Sequence, residues 1–147
     1  MLDKQERLSA MISDCMNRFV VGYAKMLDQD LTAPQYLILQ ILSENEPKSC
    51  SELAEELDVT LPAITNLSNK LAGKGYIERI TPDTDRRSVY LRLTEEGRKV
   101  MTRMLERYQE LTKPMRDHLT EQETDALLSA FEKMTSLLPI GKGRGYK

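Results

Sequence analysis

The sequence predicts a mainly α chain of the α+β class. Two observations carry this: apolar residues recur at helical spacing along most of the 147 residues, and the period shortens to two in a single stretch near 76–93. A third, the capping and turn chemistry between those stretches, divides the chain into elements.

From Leu8 the apolar positions run through Met11, Ile12, Cys15, Met16, Phe19, Tyr23, Met26 and Leu27, the stripe of one amphipathic helix over about 5–28. Thr32-x-x-Gln35 is a capping box with Pro34 in the first turn. It opens a second helix carrying Tyr36, Leu37, Leu39, Ile41 and Leu42, which stops at Glu44-Asn45-Glu46-Pro47. Ser49-x-x-Glu52 is a second box, starting a short third helix that buries Leu53, Ala54 and Leu57. Thr60 caps a fourth helix, which tolerates Pro62 because first-turn N–H groups have no intrahelical partner. Its inner stripe is Ile64, Leu67 and Leu71, and Gly73 and Gly75 end it.

Residues 76–80 and 88–93 read as strands, the second pointing Val89, Leu91 and Leu93 inward and Ser88, Tyr90 and Arg92 outward. Between them, Thr81-Pro82-Asp83-Thr84-Asp85-Arg86-Arg87 is a turn-rich hairpin loop ending in two arginines. Thr94 begins a fifth helix striped by Val100, Met101, Met104, Leu105, Tyr108, Leu111 and Met115. Thr120-x-x-Glu123 begins a sixth, with Leu127, Leu128, Phe131, Met134 and Leu138 inside, and Pro139 closes it.

Composition removes several classes. With 40% hydrophobic and 30% charged residues, the chain has the material for one ordinary core, and no apolar run approaches the roughly 18 residues of a membrane helix. The charged opening Met1-Leu2-Asp3-Lys4-Gln5-Glu6-Arg7 is no secretory signal and the C-terminus has no prenylation box, so a cytoplasmic protein off the membrane is expected. Cys15, Cys50 and the single His118 make neither a disulfide framework nor an ordinary zinc site, and no metal or cofactor is expected. Nothing around His118 resembles a nucleophile elbow. The tail 141–147 lacks phosphate-loop spacing and reads as a flexible basic tail. Glu95-Glu96 and Glu121/Glu123 stand at helix starts, where carboxylates complement the dipole. The expectation is a protein that is not an enzyme.

The net charge of −2 conceals an uneven distribution. Residues 1–59 carry 5 basic and 11 acidic side chains, 60–94 carry 6 and 3, 95–140 carry 7 and 9, and 141–147 carry 3 and none. A basic middle between acidic flanks is the form a local nucleic-acid footprint takes.

Two short helices joined by a tight turn and followed by a basic hairpin make a winged helix-turn-helix. In that arrangement the fourth helix enters a major groove and the hairpin arginines reach the neighbouring minor groove. The capped start of the third helix, at Ser49 and Ser51, turns backbone N–H groups to a phosphate. With 64, 67 and 71 inward, Pro62, Ala63, Asn66, Asn69 and Lys70 face out, with Thr65 at the flank. Asn pairs bidentately with adenine, Ala or Thr meets a thymine methyl, and Lys approaches guanine or phosphate. The rival reading is a winged module that docks a protein without binding DNA. Arg86-Arg87, and an outward face free of large apolar anchors, favour double-stranded DNA. With 5% aromatics and no Trp, a stacking platform for single strands is disfavoured.

Asp85-Arg86-Arg87-Ser88, followed by Leu93-Thr94-Glu95-Glu96-Gly97, resembles the DxR…LTxxG wing signature of the multiple-antibiotic-resistance regulator (MarR) family. Ser51-Glu52-Leu53-Ala54 and Lys70-Leu71-Ala72-Gly73-Lys74-Gly75-Tyr76-Ile77 resemble the same family's third helix and the end of its recognition helix. The resemblance covers essentially the whole chain. It implies a homodimeric transcriptional regulator, a repressor, that binds a pseudo-palindromic operator. A small apolar or phenolic effector, in a pocket between the lobes, would release it. It implies one domain over 1–140, with 1–30 and 95–140 as dimerisation helices and 32–94 as the winged lobe. In the wing, Asp85 is expected to orient Arg87 while Arg86 reaches the groove or backbone. The residues argue independently for a second copy as partner, since the terminal stripes exceed what a small winged lobe covers.

Cys15 is expected to pack on the first helix as a small hydrophobe. Its position resembles that of the sensing cysteine in the family's organic-peroxide branch, so oxidant sensing is the alternative mode of control. Asp14 beside it is a like charge to a thiolate. The eight methionines are expected first as adaptable core, with Met11, Met16, Met101 and Met104 as candidates to line a pliable pocket between the first and fifth helices.

Overall fold

The structure, a computed structural model, describes residues 1–28, 30–84 and 87–138. Its elements are α1 (Lys4–Met26), α2 (Ala33–Glu44), β1 (Lys48–Ser49), α3 (Cys50–Leu57), α4 (Leu61–Gly73), β2 (Ile77–Ile80), β3 (Tyr90–Leu93), α5 (Glu95–His118) and α6 (Glu121–Leu137). The strands form one antiparallel sheet in the order β1-β3-β2, with Glu78 opposite Arg92, Ile80 opposite Tyr90 and Ser49 also opposite Tyr90.

Capping chemistry places most helix starts. Thr32 and Thr120 make the complete boxes their spacing predicts, and Asp3 makes a further one with Glu6. Ser49 is a simple N-cap: its Oγ accepts from Glu52 N at 3.1 Å, without the reciprocal carboxylate bond of the expected box. Ser49 belongs at the same time to β1, a two-residue strand too short to show any period in the sequence.

The core gathers around α2. Ile38, Leu39, Leu42, Leu53, Ile64, Leu71, Leu91, Val100 and Met104 are its most buried side chains. Two expectations about facing change here. Ser68, 1% exposed, joins Ile64 and Leu71 on the inner side of α4, while Leu67 is half-buried. A stripe read from apolar residues alone passes over a buried serine. Val89 is 44% exposed rather than inward, because the hairpin pairing closes at Ile80 and Tyr90 and leaves Val89 outside the strand.

Gly97 explains the glycine of the wing motif. A Cβ there would overlap the Tyr76 carbonyl oxygen, which accepts from Thr94 N at 3.0 Å, so the first turn of α5 sits directly on the chain entering β2. Thr94 completes the joint, donating its hydroxyl to Gly75 O at 2.5 Å and accepting from Gly97 N at 3.1 Å.

The largest departure from expectation lies in the terminal helices. Of α1 only Met26 is buried, whereas Leu8, Met11, Met16, Phe19 and Val20 are exposed, and Cys15 is exposed with them. No described residue of α6 is buried. The stripes are present, but among the described residues α1 packs mainly on α5 and, through Tyr23, on α2, and most of both stripes faces outward.

Candidate nucleic-acid interface

The turn between α3 and α4 is Asp58-Val59-Thr60. Asp58 adopts the left-handed conformation at φ 54°, which an aspartate tolerates better than most residues, and its N–H closes α3 on the Ala54 and Glu55 carbonyls. Thr60 Oγ1 then accepts from Ala63 N at 3.3 Å and starts α4. With Ile64, Ser68 and Leu71 turned in, Pro62, Ala63, Thr65, Asn66, Asn69 and Lys70 are all exposed, as their spacing predicts. Leu61 departs from the expected face: at the first position of α4 it is 47% exposed, an apolar side chain where none was anticipated.

Asn66 and Asn69 are not equivalent. Arg79 Nη2, on β2, donates to Asn69 Oδ1 and holds that amide against the sheet. Bidentate pairing with adenine uses both the oxygen and the NH2 of an asparagine. Asn69 therefore turns chiefly its NH2 outward, toward acceptor edges, while Asn66 has no such tether among the described contacts. Arg79 escaped the sequence reading because β2 does not alternate: Glu78 and Arg79 are both exposed. Glu78 itself is paired with Arg92 at 2.6 Å across the strands.

Elsewhere the expected residues are distributed unevenly. Ser51 is exposed at the start of α3, and Ser49 is half-buried with its oxygen committed to the cap. Arg87 is exposed where the hairpin returns. Asp85 and Arg86 lie outside the described residues, as does the tail 141–147.

A second feature lies at the other side of α2. An apolar cleft of about 550 Å³ opens between α1, the start of α2 and α5, walled by Phe19, Tyr23, Leu27, Ala33, Tyr108 and Leu111. None of the four methionines expected in a pocket lines it. Met104 is buried in the core and Met101 packs against that core, while Met11 and Met16 lie exposed farther along α1. The cleft falls about one turn beyond Met104 on α5, where the helix carries Tyr108, Leu111 and Thr112 instead. Tyr23 meets Tyr36 edge to face, with ring centroids 5.7 Å apart. Burial, with Tyr36 nearby, pushes the Tyr23 hydroxyl up to about 12, and burial raises Tyr36 as well. Both are neutral phenols at neutral pH.

A paired-helix reader with a flanking hairpin defines the class: a winged helix-turn-helix protein. The model of the MarR family matches residues 31–89. Over 110 residues the chain is 34% identical to the HTH-type transcriptional regulator YpoP of Bacillus subtilis (strain 168), covering 75% of this chain and 78% of that one. It is 31% identical over 133 residues to the multiple antibiotic resistance protein MarR of Salmonella typhimurium, covering 87% and 88%. The crystal structure of Streptococcus pneumoniae FabT in complex with DNA superposes with a TM-score of 0.78 at 24% identity, covering 91% of this chain and 96% of that one. The chain belongs to the MarR family of DNA-binding transcriptional regulators. It is not an enzyme. No helix among the described residues is long and apolar enough to cross a membrane.

Proposed function

We propose that the chain is a homodimeric, cytoplasmic repressor that reads a pseudo-palindromic duplex through α4 and the wing and is released by a small apolar or phenolic effector. The observation that carries the DNA reading is the outward row of α4, in which Thr65, Asn66, Asn69 and Lys70 are exposed while Ile64, Ser68 and Leu71 hold the helix to the core. Pro62 and Ala63 offer small surfaces for close approach, and Ser49 and Ser51 place the start of α3 at a phosphate. In the wing the family resemblance implies that Asp85, outside the described residues, would orient Arg87 while Arg86, also outside them, would reach the groove or backbone. The complex of FabT, a protein of the same fold, with DNA supports DNA as the partner.

The exposed stripes of α1 and α6 support a second copy, with 1–30 and 95–140 forming the dimer helices and 32–94 the reading lobe of one domain over 1–140. Two copies place two recognition helices on half-sites about one helical turn apart. The cleft supports the effector: its volume suits a small molecule, its walls are apolar, and Tyr23, Tyr108 and Thr112 supply hydroxyls for an aromatic carrying one of its own. Such a ligand releases DNA only if it binds the DNA-incompetent arrangement more tightly.

Selection of bound duplexes from a random pool, followed by sedimentation and titration, tests the reading. A dimer at micromolar concentration and a palindromic consensus are expected; a monomer that still binds its selected duplex tightly overturns it. Arg87→Ala should weaken specific and random duplex alike and flatten the salt slope by about one unit. Affinity that stays unchanged across the salt titration removes the wing from the interface.

Exposure of Cys15 in the single protomer favours a second reading, release by oxidation of that thiol. The like charge of Asp14 that argued against it is engaged by Arg18 at 2.9 Å. Organic peroxide separates the two: release of wild type but not of Cys15→Ser installs the sensor in place of the ligand.

A further inference from the structure

The junction between α1 and α2 is bonded at one end to α5 and at the other to the exit of the recognition helix. Asp28 accepts from Arg107 Nη1 at 2.6 Å and from Arg103 Nη2 at 3.1 Å, one arginine on each carboxylate oxygen. Arg107 Nη1 also donates to the Met26 carbonyl at 3.0 Å, so α5 grips the last turn of α1 as well. Two residues on, Asp30 Oδ2 accepts the Tyr76 hydroxyl at 2.9 Å, and the Asp30 carbonyl accepts Lys74 Nζ. Lys74 Nζ lies 3.4 Å from Gln35 Oε1, the same oxygen that completes the α2 cap by accepting from Thr32 N at 3.0 Å. Lys74 and Tyr76 are the first side chains after α4, apart from the glycine between them.

We propose that Asp28 and Asp30 are positioning residues that lock the angle between the α1–α5 pair and α4, and so set the half-site spacing the protein accepts. The inference rests on the dimer reading above. If α5 belongs to the dimer and α4 to the groove, the junction is a second bonded route between them, beside the direct joint of Thr94 with Gly75 and Tyr76. Single exposed ion pairs hold little, but the Asp28 side chain is only 15% exposed and is clamped by two guanidinium groups from adjacent turns of one helix. To pivot α4 against α5 about the Thr94 joint, the chain must release that clamp or the Tyr76 and Lys74 contacts. Leu27 and Ala33, at the two ends of the junction, both wall the cleft, so a ligand there presses on the same segment.

The test compares affinity for the selected duplex with affinity for duplexes carrying one base pair more or fewer at the centre. That ratio cancels changes in net charge and in the amount of folded protein. Wild type should discriminate sharply. Asp28→Ala and Tyr76→Phe should hold the correct duplex within about threefold yet lose about tenfold of the discrimination, and the double variant should lose no more than either alone. Asp14→Ala, with the same change of charge outside the junction, should behave as wild type. If Asp28→Ala fails to fold, Tyr76→Phe, which removes a single oxygen, carries the test. Undiminished discrimination in Tyr76→Phe and in folded Asp28→Ala overturns the proposal. Failure of the dimer reading is told apart by wild type itself, which would sediment as a monomer and ignore the spacing.

Discussion

Asn66 and Asn69 stand one helical turn apart on the same exposed face, and only the guanidinium of Arg79 makes them chemically different. Asn66→Ala is expected to cost about 1–3 kcal/mol at one operator position and to relax base preference there. Asn69→Ala and Arg79→Ala should instead be coupled, the double variant losing less than the sum of the singles. Affinities for single-base operator variants decide this; additive losses would mean that Arg79 acts on DNA independently of Asn69. A second residue-scale expectation concerns Tyr23. Its phenol is favoured neutral in the folded chain, so its contribution to stability is complete below the ordinary value of 10.0 and fades as pH rises through about 12. A tyrosinate absorbance titration should therefore show a late component near 12 that shrinks by one tyrosine in Tyr23→Phe. The exposed face of α4 was legible because inward positions at helical spacing define the outward ones. Arg79 was not, since its partner lies across the turn from helix to sheet and leaves no spacing to read.

At the scale of elements, α4 carries an internal cost. The Ser68 hydroxyl is buried in the middle of the helix without a hydrogen-bond partner among the described residues. Ser68→Ala removes that unmet group and raises helix propensity together, so the folded state should gain about 1 kcal/mol, read as a higher urea midpoint at unchanged slope. A lower midpoint would mean that the hydroxyl is bonded in solution. Helix starts were the most legible elements, because Thr32, Thr60, Thr94 and Thr120 each accept from the backbone N–H three residues on. β1 was invisible, since two residues carry no alternation and their pairing depends on Tyr90 and Leu91 more than forty residues away. The methionine pocket failed for a related reason. Flexible apolar side chains mark buried faces of α1 and α5 without telling which of them meets the core, which solvent and which the cleft.

For the molecule as a whole, burial read from a stripe is conditional on a neighbour. Cys15 and the apolar residues around it were expected inside and stand outside in the single chain, so the stripe was legible and its covering was not. The α1–α5 contact has its own signature in acid. Burial alone would raise the Asp28 carboxyl, but hydrogen bonds and charges from Arg103 and Arg107 outweigh it and hold the group below its ordinary 3.8. The stabilisation is thus complete above that value and is lost as pH falls below it. Asp28→Ala should flatten the acid limb of the stability curve while leaving its alkaline limb in place. An acid limb identical to wild type would show the clamp to be absent in solution.

The seat of α5 on Tyr76 makes that helix a lever with its fulcrum at Gly97. Its 24 residues extend about 36 Å at 1.5 Å per residue. A tilt of about 5° at the fulcrum moves the far end by about 3 Å over that length. Tyr108, midway along, walls the cleft and Met115 stands in the last turns, so one methyl group added at Gly97 would be felt least where it is placed and most at the opposite extremity. On the dimer reading proposed above, Gly97→Ala should accordingly weaken self-association by a larger factor than it weakens contact of an isolated half-site with α4, although Gly97 itself is buried against Tyr76 and Leu93.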